Sequence, residues 1–180
     1  MLDGLIAIEL KRFHDDRGYF YEIFNQLKFD KQLKDVVFVQ DNLAFTKKKF
    51  TFRGLHQQRG EYSQAKLVSV ISGSILDIAV DIRKDSKTFG KHSKKILSEE
   101  NNIQLYIPEG FLHGYLTLSD DTTVTYKTTS NYMPQEEMGV NVFDGDLKIE
   151  LPCSKNEVIL SPKDLTLGSF IKIKEEIYNK

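Results

Sequence analysis

Arg53, His56 and Lys66 fall within fourteen residues of one another, in FRGLHQQRGEYSQAKLVSV (52–70). A guanidinium forks onto carboxylate or phosphate oxygens, an imidazole exchanges protons near neutral pH, and an ammonium steadies a developing oxyanion. A second histidine, His113, stands among the turn residues of PEGFLHG (108–114), and YKTTSNY (126–132) adds Tyr126 and Tyr132. Base, electrophile, anion anchor and acid are the parts needed to move a proton on a carbon beside a carbonyl. Taken singly, each has a plainer reading. A lone histidine is most often a surface or satisfied core residue, and an exposed lysine pair contributes little. Gly54 favours the chemical reading, because a glycine bend in a strand lets Arg53 and His56 point the same way.

Strands must hold these groups. Runs rich in Val, Ile, Phe, Tyr and Thr recur as LIAIEL (5–10), GYFYEIF (18–24), VVFVQDNLAF (36–45), AKLVSVI (65–71), SILDIAVDI (74–82), IQLYIP (103–108), GYLTLS (114–119), TTVTYKTT (122–129) and KIEL (148–151). Their short length and turn-rich spacing predict one all-β domain over 1–180, a sandwich or small barrel of jelly-roll type. Ser72-Gly73 is expected to close a hairpin, which sets Lys66 opposite Ala79 and diagonal to Asp77. The other face of that strand, Leu76, Ile78, Val80 and Ile82, is wholly apolar. Helix is expected only near 25–35 and once, briefly, in SPKDLTLGSFIKIKEEIYNK (161–180). The charge density of IKIKEEIYNK (171–180) predicts a solvated tail.

Composition narrows the partners. A net charge of -1, from 25 basic and 26 acidic residues, provides no field for nucleic acid or membrane, so an anion must be held by a local cluster. Cys153 is the single cysteine, which excludes an intramolecular disulfide and fits a reducing compartment. No apolar run reaches bilayer length, and MLDGLIAIELKRF has acids before and after its apolar run and lacks a basic stretch and a cleavage site. A cytoplasmic chain is expected. Metal chemistry is not: the residue two past His56 is Gln58, and His14 (RFHDD) and His92 (FGKHSK) read as exposed loops. Neither a glycine-rich phosphate loop nor a Gly-x-Ser-x-Gly elbow is present. Cys153, beside Pro152, reads as an inert thiol.

In order, DDRGYFYE, QDN, FRGLHQQ, QAKLVSVISGSILDIAVDIRKDSKTFGKH, LYIPEGFLHGYLTLSD, TYKTTSNY and LSPKD resemble the nucleotide-sugar 3,5-epimerases from about residue 5 to 170. The resemblance implies a dimeric, metal-free cupin jelly roll without cofactor. It would invert C3, C5 or both of a nucleoside-diphosphate 4-keto sugar, of the dTDP-6-deoxyhexose or GDP-heptose type, for deoxysugar and surface-polysaccharide synthesis. By it, His56 is the base, Asp164 of SPKD its orienting carboxylate, Lys66 the group at the sugar's 4-keto oxygen and Tyr132 the acid. His113 and Tyr126 line the pocket; Arg17, Phe20, Glu22, Gln40, Asn42 and Arg53 hold the nucleotide and its diphosphate.

The chain departs from the family's pattern at three places. Gln57 replaces an aromatic, Asn131 replaces a tyrosine, and NVFDGDL (141–147) stands where a tryptophan-containing stretch is usual. The alternatives are a 3,4-ketoisomerase on a similar jelly roll, or a sugar-nucleotide-binding cupin without chemistry.

Overall fold

Valine, isoleucine, threonine and aromatic runs of five to eight residues suit a pleated, half-buried surface, and most of them fold as strands. The computed structural model describes residues 1–31 and 33–179. Along the chain these are β1 (Ile6–Glu9), β2 (Phe13–Asp15), β3 (Gly18–Phe20), α1 (Gln26–Phe29), β4 (Gln40–Thr46), β5 (Phe52–Gln58), β6 (Lys66–Ser72) and β7 (Ser74–Asp81). There follow β8 (His92–Ser98), β9 (Ile103–Ile107), β10 (Phe111–Thr117), β11 (Thr122–Thr128), β12 (Glu137–Gly139), α2 (Pro162–Leu165) and α3 (Phe170–Tyr178). Two five-stranded sheets, β1-β9-β6-β11-β4 and β12-β5-β10-β7-β8, pack face to face as a jelly roll, and β2 and β3 form a separate hairpin.

Between the sheets lie Val68, Val70, Ile75, Ala79, Leu97, Leu105, Ile107, Phe111, Tyr115 and Val124. On the far side of the second sheet, Ile78, Val80 and Ile82 pack with Phe52, Leu112, Val140, Val142, Phe170 and Ile173. β7 is therefore buried on both faces, which is why SILDIAVDI reads as almost continuously apolar. Each large side chain so buried contributes about 1.5–3 kcal/mol.

The expected hairpin at Ser72-Gly73 does not form. β6 and β7 belong to different sheets, and the chain turns a corner between them. Ser72 pairs with Thr123 in the first sheet, while Ser74 pairs with Ser98 in the second. Gly73, at φ +80°, permits the corner because a Cβ there would meet Ser119 Oγ at 2.6 Å and Thr122 Oγ1 at 2.7 Å. A dipeptide that suits a two-residue turn suits this corner equally, and long-range pairing decides.

Other expectations also shift. KIEL (148–151) forms no strand, and β2, β8 and β12 were not anticipated. His14 and His92 consequently sit in strands rather than loops. The helix expected near 25–35 shortens to α1, with Gln32 outside the described residues. The tail is not simply solvated: α3 sinks Phe170 and Ile173 into the core and rests Ile177 against it. Its start is tied down where Phe170 N donates to Asp144 Oδ2 at 3.1 Å. Lys180, the last residue of that tail, lies outside the described residues.

Candidate active site

β5 and β10 run antiparallel, with His56 opposite His113 but Arg53 opposite Tyr115. Three steps on β5 thus match two on β10, a bulge that brings Arg53 and His56 to one face. Gly54 makes it possible. Its φ is +116°, and a Cβ there would stand 2.6 Å from Gly114 Cα and 2.7 Å from the His113 carbonyl oxygen. Gly114 is equally constrained, since its own Cβ would lie 2.6 Å from the Arg53 carbonyl oxygen.

That face opens on a cavity of about 440 Å³ lined by Arg53, His56, Lys66, His113, Tyr115, Tyr126 and, from α2, Lys163 and Asp164. His56 and Lys66 therefore share one chamber although they sit on opposing sheets. Lys66 projects inward from β6 between Ile107 and Thr128. Asp77 stands on the opposing sheet, so the two are related across the sandwich rather than along a hairpin.

The dyad is built by α2. Ser161 caps this single turn, its Oγ accepting from Asp164 N at 3.1 Å, with Pro162 in the first helical position. The cap aims Asp164 at the cavity, where Oδ1 lies 2.7 Å from His56 Nε2. Burial opposes ionisation of Asp164, yet His56, Ser161 and the Gly54 amide together hold it below the usual carboxylate range. With Nε2 committed to Asp164, the other ring nitrogen is left as the proton acceptor.

Glu137 on β12 is a site residue that the sequence reading missed. Its Oε1 stands 3.6 Å from His56 Nε2 and 2.7 Å from Lys163 Nζ. Burial raises its pKa, but Lys163, Tyr132 and His56 outweigh that and keep it low. Asp77 was read only as a pairing neighbour; it is fully buried, with Oδ2 2.8 Å from His113 Nε2. No short motif marks either residue. Only the pairing of β12 with β5 and of β7 with β10 brings them to the site.

Desolvation lowers the Lys66 ammonium to about 8, against the opposing pull of Asp77 and Glu137. Burial raises Tyr126, with the Arg53 charge acting against it. Burial also pushes the Tyr115 hydroxyl up to about 12. Arg53 spends two donors on the protein, Nε to Thr46 Oγ1 at 3.0 Å and Nη2 to the Phe45 carbonyl at 3.2 Å. The rest of its fork remains for an anion.

The remaining expected residues divide. Gln40 and Asn42 line a smaller chamber of about 200 Å³ that shares Tyr126 with the main one and also holds Tyr132. Tyr132, expected as the acid, does not line the main cavity. Its side is open to solvent, and its hydroxyl donates to Glu137 Oε2 at 2.6 Å. Arg17, Phe20 and Glu22 do not reach their own chain's cavity. Arg17 projects from the β2–β3 hairpin and pairs with Asp15 at 2.6 Å, Phe20 is 70% exposed, and Glu22 pairs with Lys28 at 2.7 Å.

The departures from the family's pattern fall away from the main cavity. Gln57 points to the opposite face of β5, where Nε2 meets Met138 Sδ at 3.1 Å. In NVFDGDL, Val142 and Leu147 are core residues. Asn131 offers its carbonyl to Gln58 Nε2 at 3.0 Å.

The jelly-roll architecture agrees with what comparison finds. The family model described as dTDP-4-dehydrorhamnose 3,5-epimerase matches residues 1–172. The chain belongs to this family. It is 45% identical to the dTDP-4-dehydrorhamnose 3,5-epimerase of Escherichia coli K12, over 96% of this chain and 95% of that protein. Among solved structures, an epimerase of Legionella pneumophila in complex with dTDP-4-keto-L-rhamnose aligns with TM-score 0.92 and 41% identity, covering 98% of this chain and 93% of that one. A 3'-monoepimerase of Streptomyces bikiniensis in complex with dTDP-quinovose aligns with TM-score 0.89 and 30% identity, covering 96% and 87%. This family member is accordingly an epimerase of a nucleotide-linked 4-keto sugar.

Proposed function

We propose that this chain inverts both C3 and C5 of a dTDP-4-keto-6-deoxyhexose, with His56 as the base. The observation that carries the reading is the His56–Asp164 contact of 2.7 Å at the wall of the chamber that also holds Lys66 and Tyr126. The 4-ketone acidifies the hydrogens at C3 and C5. The free ring nitrogen of His56 takes one of them, the C–H electron pair moves into the enolate, and negative charge collects on O4. Lys66 stabilises that charge where it develops. A proton returned to the carbon from the opposite face completes the inversion. We assign this donation to Tyr126, which lies inside the chamber, and a rim role against the nucleotide base to Tyr132, beside Gln40 and Asn42. Arg53 takes the diphosphate.

The working unit is a homodimer in this reading. The support is a hairpin that projects Phe13, Tyr19 and Phe20 into solvent, and an outer sheet face that leaves Leu43 and Phe45 uncovered. Arg17, Phe20 and Glu22 then serve the partner's chamber. We place the enzyme in the cytoplasm because of its lone free thiol.

The test is incubation with dTDP-4-keto-6-deoxyglucose in D₂O. Deuterium at both C3 and C5 of an inverted product is the expected result. Incorporation at C3 alone makes the enzyme a monoepimerase, and none at either carbon overturns the proposal.

A further inference from the structure

Two carboxylates stand close to the residues of the chamber, and their compensation is uneven. Glu137 is compensated twice, by Lys163 Nζ at 2.7 Å and by the Tyr132 hydroxyl at 2.6 Å. Asp77 is not. Fully buried, it meets His113 Nε2 through Oδ2 at 2.8 Å, and among the described residues Oδ1 has no hydrogen-bond partner. An orphaned carboxylate oxygen in a protein interior carries a heavy desolvation cost unless a charge nearby offsets it. Lys66 is the cation on the facing sheet, and Asp77 is the anion that acts on it most strongly.

We propose that Asp77 is a positioning residue of this site: its buried carboxylate fixes His113 through Nε2 and supplies the uncommitted negative charge facing the Lys66 ammonium. The proposal rests on the reading of Lys66 as the group that meets the enolate oxygen. The ammonium must be charged when O4 becomes negative, yet burial drives it toward the neutral amine. Asp77 opposes that drive from β7 without entering the substrate's space, because it lies behind His113 and is not itself part of the cavity wall. The other charges facing Lys66 do not replace it. Glu137 on β12 acts more weakly and is already paired. Arg53 on β5 and Lys163 on α2 are cations and work in the opposite direction. The titratable groups that complete the surroundings are His56 on β5, His113 and Tyr115 on β10, Tyr126 on β11 and Asp164 on α2.

The experiment reads Lys66 directly, without substrate. Lysines are converted to ¹³C-dimethyl amines, the Lys66 resonance is identified by its loss in Lys66→Arg, and its chemical shift is followed from pH 6 to 11. In Asp77→Asn the midpoint should fall by roughly one unit relative to the unsubstituted protein, and Asp77→Glu should restore it. The alkaline limb of kcat/KM should move the same way. A midpoint that stays put in folded Asp77→Asn overturns the proposal. If that variant does not fold, Asp77→Ser, which leaves room for water, must show the same fall, and an unmoved midpoint there overturns it equally. Because the titration needs no turnover, a shifted midpoint in a protein that fails to exchange sugar hydrogens sinks the epimerase reading and leaves the charge pairing standing.

Discussion

His56 Nε2 and Asp164 Oδ1 lie 2.7 Å apart, joining the bulge of one strand to a single capped helical turn near the other end of the chain. The carboxylate fixes which ring nitrogen carries the proton. Asp164→Asn preserves shape while removing the charge and the tautomer control. We expect kcat to fall about 10³- to 10⁴-fold, as for a comparable carboxylate–histidine pair in serine proteases, with KM little changed. Steady-state kinetics on the keto sugar checks this; a loss below tenfold removes Asp164 from the dyad.

Tyr126 and Tyr132 make separable predictions. Tyr126 faces the chamber of His56 and Lys66, whereas Tyr132 bonds Glu137 at the rim. Tyr126→Phe should cost roughly 10²-fold or more in inversion, the range for a lost general acid, while hydrogen exchange by His56 continues. Tyr132→Phe should act mainly on KM for the nucleotide. Product analysis by NMR in D₂O separates the two, and the reverse pattern returns the acid role to Tyr132.

Activity and stability should diverge at alkaline pH. Lys66 stands at about 8 in the fold against an ordinary 10.5. Above about 8 the ammonium deprotonates, and kcat/KM should fall tenfold per pH unit. Between about 8 and 10.5 the unfolded chain holds the extra proton, so this group's contribution to stability rises with pH over the same window. A pH–rate profile beside urea melts at matched pH tests both signs. Loss of activity that tracks unfolding contradicts them.

Gly54→Ala should fail for steric reasons. The added Cβ would stand 2.6 Å from Gly114 Cα, backbone that cannot rotate away, at a φ of +116°. A cost of about 1–3 kcal/mol is expected from such strain, and His56 should lose its alignment with Asp164. Urea denaturation together with kcat is the measurement. Wild-type values for both exclude the bulge as the device that aims Arg53 and His56 together.

Arg17 offers a test of the proposed dimer. Arg17→Ala and His56→Asn should each be inactive alone, and co-refolded mixtures should recover part of the activity, because one of the two chambers in a mixed dimer holds both native residues. No recovery, with dimers confirmed by ultracentrifugation, places Arg17 outside the partner's chamber.

Much of the site was legible in residue types. His56, Lys66, Arg53, His113, Tyr126 and Asp164 do gather around one cavity. Glu137 was invisible because neither glutamate of QEEMG carries a signature; its place beside His56 comes from the pairing of Glu137 with Gln58. The Lys66–Asp77 relation was anticipated, but through a hairpin that does not exist. Strand alternation places both side chains on interior-facing positions whichever partner each strand takes, so the wrong topology still led to neighbouring charges.

The sequence by itself determined the chemical inventory, the strand-rich class and the family, because side-chain type, period-two alternation and ordered motifs are local properties of the chain. Tertiary structure alone decided which groups share a chamber. The corner at Gly73 sends β6 and β7 to opposing sheets, the bulge at Gly54 turns Arg53 toward His56, and the β2–β3 hairpin carries Arg17 away from its own cavity. Each outcome depends on strand pairing between distant residues, and no local pattern encodes which edge a strand will choose.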